Sequence, residues 1–479
     1  MLLPAQDKQE LLAPSASPWP HCYSEHPRSD LIFDEKTSFD FKRCAKQLVR
    51  VWRRIGVCSY MTKSSLIIIG AGASGLVAAK ELAALYNITL LEATNRAGGR
   101  ICTVEQSGTL VEAGAEFVHG NLPITLDLLK QAGIEPRKVE GDMFRHKNGK
   151  FLEVEEMTEG FDGLLEKMEA VVEDITMQQL LDKHYSAPRY ESLRLHVTKY
   201  LEGFDLADVS RASVQATLKE WKAEEEDNFR IPTGYQSLIN FLTEQLATVG
   251  IPVQLNQPVK AIRWEPKKVF VTTSTGKEWI ADKVLVTVPL SVLQAAPEAQ
   301  GIHFEPALPF DKNMFTNIGF GAVIKLVFKF KKPFWQPEAG FILSDEVIPT
   351  WWTQKPETSS ILTGWLGGPK ALAYAELDEE ALITKGLSSL ANIYDRPLAA
   401  LRENLEWACV FNWQKMEYVR GGYSYATTET PAAQKLIGQP VDNTIFFAGE
   451  AMYQGDHPGT VEAALSSGIE AAKLLKGLI

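Results

Sequence analysis

A glycine-rich turn between an apolar strand and a helix constrains this 479-residue chain more than any other feature. Residues 67–69 are three consecutive isoleucines, a β-branched run typical of a buried strand, and residues 70–75 follow in the pattern G-x-G-x-x-G. Residues 76–85 are rich in helix formers, and a second strand at residues 88–91 ends at Glu92. The order strand, glycine turn, helix and strand predicts an α/β fold.

Each glycine of this turn has a physical task in binding a dinucleotide. Gly70 permits the tight turn, Gly72 lets a pyrophosphate approach the backbone, and Gly75 lets the helix pack closely on the strand. The N-terminus of the helix offers free N–H groups and a partial positive charge to the phosphates. Glu92, about 20 residues after Gly70, is placed to bond the ribose hydroxyls. The pattern predicts a bound dinucleotide but does not separate NAD from FAD.

The composition is that of a globular enzyme, with 45% hydrophobic and 23% charged residues. The net charge of −11 argues against a nucleic-acid partner, because binding a phosphate backbone requires a basic face. The five cysteines are odd in number and have no metal-ligand spacing. No apolar run reaches the roughly 18 residues of a membrane span. We therefore expect a reduced, cytoplasmic protein with no disulfide frame, no metal and no evident protein partner.

Residues 1–60 differ from the remainder of the chain. They contain a Pro/Ser-rich stretch at residues 13–20 and a basic patch near Arg53, without the apolar run of a signal peptide. Met61 leads almost directly into the first strand. We expect residues 1–60 to be a disordered leader, or to be absent because translation begins at Met61. The intact mass of the native protein distinguishes these two cases.

The residues that follow the second strand point to one family. Residues 92–100, with the sequence EATNRAGGR, resemble the E-A-R-x-R-x-G-G-R motif of the flavin-containing amine oxidases. That family includes monoamine oxidases, polyamine oxidases and lysine-specific histone demethylases. The resemblance implies FAD, with Arg96 and Arg100 pairing with its pyrophosphate and shaping the loop beneath the flavin. Thr94 and Asn95 are departures, since the family usually has Arg and Asp there.

Two later segments resemble the same family. Residues 114–120, with the sequence GAEFVHG, resemble the segment that runs along the flavin ring. His119 stands where plant polyamine oxidases carry an acidic active-site residue, which argues against a polyamine substrate; its alternative role is a bond to a backbone carbonyl. Residues 286–321 match in order and spacing, and they align Lys325 with the lysine that reaches flavin N5 through a water. Outside this pattern, a lone lysine in a strand usually points to solvent.

The most specific match lies in residues 413–462 and resembles the region that closes over the flavin. Glu450 would bond the ribityl chain. Thr460 and Val461 open the last helix, whose N-terminus would stabilise negative charge on the reduced flavin. The catalytic candidates are Lys325, Tyr423, His119 and Thr460. The cofactor contacts that the motifs imply are Gly70, Gly72, Ala73, Ser74, Gly75, Glu92, Ala93, Arg96, Gly99, Arg100, Gly114, Ala115, Glu116, Phe117, Val259, Trp413, Tyr418, Gly449, Glu450, Thr460 and Val461.

Two departures in this last region bear on the chemistry. Monoamine oxidases attach FAD through a cysteine just before the first active-site tyrosine, whereas Gly422 precedes Tyr423 here. We therefore expect non-covalent FAD. The position of the second tyrosine holds Thr460, so the aromatic cage is open on one side, as in the histone demethylases. Three tryptophans are expected to supply aromatic surface or to pack the substrate-domain sheet: Trp351, Trp352 and Trp365.

The resemblance implies an FAD-dependent oxidase that converts a small-molecule amine to an imine, while oxygen reoxidises the flavin and forms hydrogen peroxide. The alternatives are a flavin desaturase or porphyrinogen oxidase acting on C–C bonds, an amino-acid oxidase, and a non-catalytic flavoprotein. Lys325 and residues 423–425 favour the amine class. An amino-acid oxidase would need an arginine at the substrate carboxylate, and we identify none.

The fold class implied by these matches is α/β, with a Rossmann-type FAD-binding domain interleaved with an α+β substrate domain that carries a helical insert. The FAD-binding domain is expected to be assembled from residues 61–121, 231–300 and 406–479. The substrate domain is expected to comprise a helical part, residues 122–230, and a sheet, residues 301–405.

Overall fold

The structure is a computed structural model that describes residues 63–147, 149–153, 160–223 and 227–478. The expectations for residues 1–60 and for a start at Met61 lie outside the described residues. Over the described ranges, no helix combines the length and the apolar character that crossing a membrane requires.

The described ranges contain strands and α-helices, numbered here in chain order. The strands are β1 Ser65–Ile69, β2 Asn87–Leu91, β3 Thr103–Gln106, β4 Thr109–Glu112, β5 Phe117–His119, β6 Arg137–Lys138, β7 Asp142–Lys147, β8 Lys150–Glu153, β9 Asn228–Arg230, β10 Val253–Gln254, β11 Val259–Glu265, β12 Lys268–Thr273, β13 Glu278–Ala281, β14 Lys283–Val286, β15 His303–Glu305, β16 Gly319–Phe320, β17 Val323–Phe330, β18 Ala339–Leu343, β19 Thr350–Trp352, β20 Ile361–Gly367, β21 Leu405–Asn412, β22 Ser424–Tyr425 and β23 Ile445–Phe447. The helices are α1 Ala73–Leu82, α2 Pro123–Gln131, α3 Phe161–Glu169, α4 Met177–His184, α5 Glu191–Gly203, α6 Val214–Ala223, α7 Gln236–Thr248, α8 Leu290–Gln294, α9 Asn313–Thr316, α10 Gly368–Ala373, α11 Glu379–Tyr394, α12 Leu398–Asn404, α13 Thr430–Ile437 and α14 Val461–Lys476.

A five-stranded parallel sheet holds the glycine turn. Its strand order is β10-β2-β1-β14-β23, so the chain returns to it from three distant stretches of sequence. The central strand β1 is apolar on both faces because both faces are covered. Leu66 and Ile68 enter a core shared with α1, α7 and α14, and Ile67 and Ile69 enter a second core shared with β11 and β12. This arrangement and the second sheet described next confirm the expected fold class.

A seven-stranded sheet in the order β21-β17-β20-β19-β18-β7-β8 forms the second centre of the fold. Its strand β17 alternates strictly: Ile324, Leu326 and Phe328 pack against a core shared with α11 and α12, and the residues between them face the other side. Because both sides are covered, β17 is buried on both faces. The side away from α11 is therefore the side on which Lys325 lies.

Two expected boundaries differ from the observed sheet. Residues 122–230 were expected to be helical, yet β7 and β8 within them extend the seven-stranded sheet. Their alternation is hard to see in sequence, because β7 consists mainly of charged and polar residues and only Phe144 of that strand is buried. Strand β21 also belongs to this sheet and runs past the expected boundary at residue 405, since it pairs along the whole of β17. The rest of the domain division stays a prediction.

The four helices α3 to α6 form a separate apolar cluster beside the sheet. Leu164, Met168 and Leu180 are among its fully buried members. Helix α4 begins with a complete capping box, in which Thr176 and Gln179 satisfy each other's backbone N–H groups. This cluster and the segment after α5 contribute one wall of the cavity described next.

Candidate active site

One cavity of about 1310 Å³ runs from the glycine turn to the seven-stranded sheet. All of the catalytic and cofactor candidates from the sequence line it, with the exception of Gly75. The structure thus brings together residues that are up to several hundred positions apart in the chain. A single space large enough for a dinucleotide and a small substrate connects them.

The glycine turn closes on itself and opens toward the cavity. A Cβ atom at Gly75 would lie 2.0 Å from the carbonyl oxygen of Gly70, so the turn and α1 touch at this point. Gly70 has a φ of +108°, and a Cβ there would meet Thr287 Oγ1 at 2.8 Å. A Cβ at Gly72, in contrast, would meet no atom nearer than 4.0 Å. The backbone at Gly72 is therefore the part that a ligand can approach.

Two polar groups at this end fit the diphosphate and the ribose of a dinucleotide. Ser74 Oγ lies in the first turn of α1, is buried, and has no hydrogen-bond partner among the described residues. A buried hydroxyl at a helix N-terminus is a natural donor to a phosphate oxygen. Glu92 is buried and accepts from the backbone of Ala71 at 2.9 Å and from Thr94 at 3.0 Å, which fixes the carboxylate at the rim of the cavity.

The two arginines expected to pair with the pyrophosphate are engaged within the protein. Arg96 donates to the carbonyl oxygens of Gly99 at 2.6 Å and Ile101 at 2.9 Å, so it shapes the loop. Arg100 Nη1 lies 2.5 Å from Glu450 Oε1 in an ion pair. Glu450, expected to bond the ribityl chain, also accepts from Ser424 Oγ at 2.5 Å. Arg96, Arg100 and Glu450 thus hold the cavity wall together.

Lys325 is the most deeply buried charge of the site, with 1% of its side chain exposed. Its Nζ donates to Glu116 Oε2 at 2.6 Å and to the carbonyl oxygen of Gly114 at 3.2 Å. Glu116 Oε1 accepts from Trp352 Nε1 at 2.9 Å and from Arg230 at 3.1 Å. Burial alone would raise the pKa of Glu116, but these two cations and the hydrogen bonds lower it below its ordinary value. Glu116 is therefore a carboxylate that keeps Lys325 in place.

Tyr423 and His119 face the part of the cavity nearer the helical cluster. The Tyr423 hydroxyl donates to the carbonyl oxygen of Phe204. Burial and then the nearby charges of Asp205 and Glu220 raise the pKa of Tyr423 well above its ordinary value. His119 Nδ1 lies 2.6 Å from the side-chain oxygen of Asn228, a residue that pairs with it across β5 and β9.

Burial lowers the pKa of His119, against the opposing effect of its hydrogen bond to Asn228, and the neighbouring His457 lowers it further. The imidazole is therefore neutral at neutral pH. The alternative role considered from the sequence, a bond to a backbone carbonyl, is replaced by this side-chain partner.

Thr460 is engaged as a helix cap. Its Oγ1 accepts from the backbone of Ala463 at 3.1 Å and donates to the carbonyl oxygen of His457 at 2.7 Å. Its hydroxyl thus both donates and accepts a hydrogen bond within the protein. Val461 follows as the first residue of α14, so the positive end of that helix lies at the cavity wall.

The three tryptophans divide between packing and lining. Trp351 is fully buried, packs against Phe328 and does not line the cavity. Trp352 and Trp365 line it, with ring centroids 6.0 Å apart. The ammonium of Lys325 lies 5.6 Å from the centroid of the Trp352 ring. Trp352 and Trp365 thus supply aromatic surface to the cavity in addition to Tyr423.

Several residues of the cavity were missed in the sequence. Asp205 and Glu220 lie in the helical insert, where neither a motif nor a periodic signal marks a polar residue as functional. Asn228 was missed because it belongs to a three-residue strand. These three residues share only their position in the folded chain, where each lies near Tyr423 or His119, and no sequence pattern marks that position.

The chain is similar to known proteins over most of its length. A family model described as flavin containing amine oxidoreductase matches residues 73–476. Human lysine-specific histone demethylase 2 is 28% identical over 457 residues, which cover 86% of this chain and 53% of that protein. The Arabidopsis thaliana protein named probable polyamine oxidase 4 is 27% identical, over 85% of this chain and 86% of its own length. This chain therefore spans about half the length of the demethylase and most of the length of the oxidase.

A solved structure of putrescine oxidase bound to putrescine superposes with a TM-score of 0.72 at 20% identity, covering 87% of this chain and 99% of that one. At this identity the likeness concerns the fold.

FAD is the cofactor, and it is bound without a covalent link. The position before Tyr423 holds Gly422, which has no side chain to form such a link, and a Cβ there would meet the side chain of Leu206 at 2.4 Å. The chain belongs to the family of flavin-containing amine oxidoreductases.

Proposed function

We propose that this protein is an FAD-dependent oxidase that converts a small-molecule amine to an imine, with oxygen reduced to hydrogen peroxide. The observation that carries the proposal is the placement of Lys325: a buried ammonium, held by Glu116, in the same cavity as the glycine turn. A desaturase acting on C–C bonds has no evident need for a fixed cation at this point. The cofactor supplies the two-electron acceptor.

The substrate arm of the cavity has features that suit an amine. Asp205 and Glu220 lie close enough to Tyr423 for their negative charges to raise its pKa. These charges therefore make the electrostatic potential more negative in the region where the amine would enter. A cationic amine is drawn to such a site, and the rings of Trp352 and Trp365 can hold its apolar part. The neutral imidazole of His119 adds no competing positive charge. We further propose that Lys325, Tyr423 and His119 contact the reacting region, and that Thr460 acts by capping α14.

The relatives leave the substrate class broad, because their names refer to polyamines, putrescine and histone lysine. The replacement of an acidic residue by His119 favours a smaller amine than a polyamine. The chain spans about half the length of human lysine-specific histone demethylase 2, so the histone substrate of that protein is not carried over to this one. We therefore expect mono- or diamines to be preferred.

Peroxide release from the purified yellow holoprotein tests the proposal. The panel contains aliphatic and aromatic monoamines, putrescine, spermidine, spermine, a methylated lysine peptide, free amino acids and a porphyrinogen, each followed by a peroxidase-coupled assay. We expect peroxide with at least one mono- or diamine and a weaker response to spermine. Turnover of the porphyrinogen with no response to any amine would refute the proposal, and a preference for spermine would overturn the role assigned to His119.

A further inference from the structure

A second, smaller cavity reaches Glu116, the carboxylate of the lysine–glutamate pair. Its volume is about 190 Å³, enough for several water molecules. Glu116 lines both cavities, so its carboxylate forms part of the wall between them. Arg137 and Glu357, an ion pair whose side chains are more than half exposed, line the outer end of the smaller cavity. Solvent can therefore approach Glu116 without passing through the substrate arm.

A second carboxyl group lies in this smaller cavity. Glu112 ends β4, is half-buried, and accepts hydrogen bonds from the backbone of Tyr235 at 2.7 Å and from Thr103 Oγ1 at 2.8 Å. The charges that act on it come from Lys325 on β17 and from Glu116 before β5. The remaining charged groups of the cavity wall are Arg137, Arg230, Lys355 and Glu357.

The pKa of Glu112 is raised to about 7, chiefly by burial and to a lesser extent by the charge of Glu116, against the lowering effects of the Tyr235 backbone, Lys325 and Thr103. The pKa of Glu116 is instead lowered, because the raising effect of burial is outweighed by Lys325 and Arg230. Two neighbouring carboxyl groups whose pKa values are pushed apart are suited to give and to accept a proton.

We infer that Glu112 and Glu116 form a proton route that links solvent in the smaller cavity to Lys325 Nζ. The inference rests on the oxidase part of the proposed function, because the route serves a reaction that consumes protons. Nothing in the proposed binding of an amine requires Glu112, which makes no contact with the main cavity. Glu112 acts through Lys325, as a group that keeps this ammonium protonated.

Reduction of one oxygen molecule to hydrogen peroxide takes two electrons and two protons, of which the reduced cofactor supplies both electrons and one proton. Lys325 Nζ gives the second proton and becomes a neutral amine. Glu112 returns a proton to Nζ through cavity water and the Glu116 carboxylate, whose Oε2 lies 2.6 Å from Nζ. Glu112 becomes a carboxylate and is reprotonated from solvent at the outer end of the cavity.

The test uses Glu112→Gln in the holoprotein, with Glu105→Gln as the matched control. Glu105 lies on the same hairpin but is exposed. Each enzyme is photoreduced in the absence of oxygen and mixed with oxygenated buffer, so that no amine is needed and a failure of the proposed amine chemistry leaves the test intact. Flavin absorbance follows reoxidation, and a pH indicator in weak buffer follows proton uptake.

We expect Glu112→Gln to slow proton uptake at least tenfold at pH 6, and to remove the fall in the rate of uptake that the wild type should show as pH rises through about 7. The solvent isotope effect should increase in the variant. The control should match the wild type. Rates and pH profile of Glu112→Gln that equal those of the wild type would overturn the inference.

A second variant covers the case in which Glu112→Gln does not fold. Thr103→Val removes the hydroxyl that lowers the pKa of Glu112, so the midpoint of the pH profile should move upward from its wild-type value; an unmoved midpoint contradicts the route.

A third measurement needs no cofactor: infrared spectroscopy of the apoprotein at pH 6, where a protonated carboxylic acid gives its own band. It should be lost in Glu112→Gln and kept in Glu105→Gln, and its absence from the wild type would also overturn the inference.

Discussion

At the scale of single residues, the site depends on a buried ion pair whose partners have unequal support. If Lys325 is removed, Glu116 still has Arg230 and Trp352 as hydrogen-bond donors. Lys325, in contrast, forms its ion pair with one carboxylate, that of Glu116. Breaking a buried pair costs about 3–5 kcal/mol when it leaves a charge uncompensated. The second cation beside Glu116 reduces that cost here, which makes Lys325 open to substitution without loss of the fold.

Lys325→Met should slow flavin reduction or reoxidation by more than tenfold while FAD remains bound, because the fixed ammonium is lost from the cavity. Stopped-flow absorbance gives the rates, and the absorbance ratio of flavin to protein gives the occupancy. Lys329→Met is the control, since Lys329 lies on the same face of the same strand and pairs with Glu406 near the surface. Unchanged kinetics in Lys325→Met would remove Lys325 from the site.

The sequence could predict the position of Lys325 through the family pattern, but not its burial. A lysine between isoleucine and leucine in a strand fits a solvent-facing position equally well, and only the β3–β4 hairpin and the segment of Glu116, on the side away from α11, bury this face of β17. Asp205 and Glu220 could not be predicted at all, because their function depends on which neighbours the fold gives them. Arg96 and Arg100 line the cavity, yet their hydrogen bonds go to the protein, and their pairing with the pyrophosphate stays a prediction.

At the scale of elements, the glycine turn contains glycines needed for two different reasons, packing within the protein and access for a ligand. Gly75 is required by the protein itself, since a Cβ there would overlap the carbonyl oxygen of Gly70. Gly72 has free space on its cavity side, so its lack of a side chain serves the ligand. One motif thus contains a folding requirement and a binding requirement three residues apart.

We expect Gly75→Ala to destabilise the apoprotein by at least about 1–3 kcal/mol through overpacking. Gly72→Ala should leave the apoprotein nearly as stable as the wild type but weaken FAD binding at least tenfold. Thermal unfolding of the apoprotein and quenching of FAD fluorescence on titration measure the two effects. Equal losses of stability in both variants would show that the open space at Gly72 has no bearing on the ligand.

Elements with strong apolar patterns could be predicted from sequence, and weakly patterned ones could not. The strands at residues 65–69 and 445–447 are almost wholly apolar because helices or a second sheet cover both faces. Strand β7 was missed because its buried contribution is one phenylalanine, and the rest of its pairing energy comes from backbone hydrogen bonds that any residue can make. Boundaries between interleaved domains depend on such pairings.

At the scale of the whole molecule, Glu112 makes stability depend on pH. Its pKa is about 7 in the folded protein against 4.5 for the free side chain, so the folded state binds more protons in this interval. Stability therefore falls as pH rises from about 4.5 to about 7. The difference, (7 − 4.5) × 1.36, is on the order of 3 kcal/mol. Glu116 has the opposite sign, losing its contribution as pH falls below its ordinary pKa.

Urea unfolding of the apoprotein at pH 5 and pH 8 should show this difference directly. The free energy of unfolding of Glu112→Gln should change less over that interval than the wild-type value, by on the order of 3 kcal/mol, because the amide does not titrate. Glu116 is common to both proteins and cancels in the comparison. If the two proteins lose stability in parallel, the carboxyl of Glu112 is not the group that titrates.

The parallel sheet is built from three separate stretches of the chain. Strands β1 and β2 lie within residues 65–91 and the glycine turn follows β1; β10 and β14 lie within residues 253–286, and β23 is residues 445–447. The helix that closes the cavity then runs to Lys476. A nascent chain therefore has no complete cofactor site until these last elements have left the ribosome. Binding of FAD therefore depends on three segments that are distant in the chain, and a chain that lacks the strand at residues 445–447 and the helix that follows it has an incomplete cofactor site.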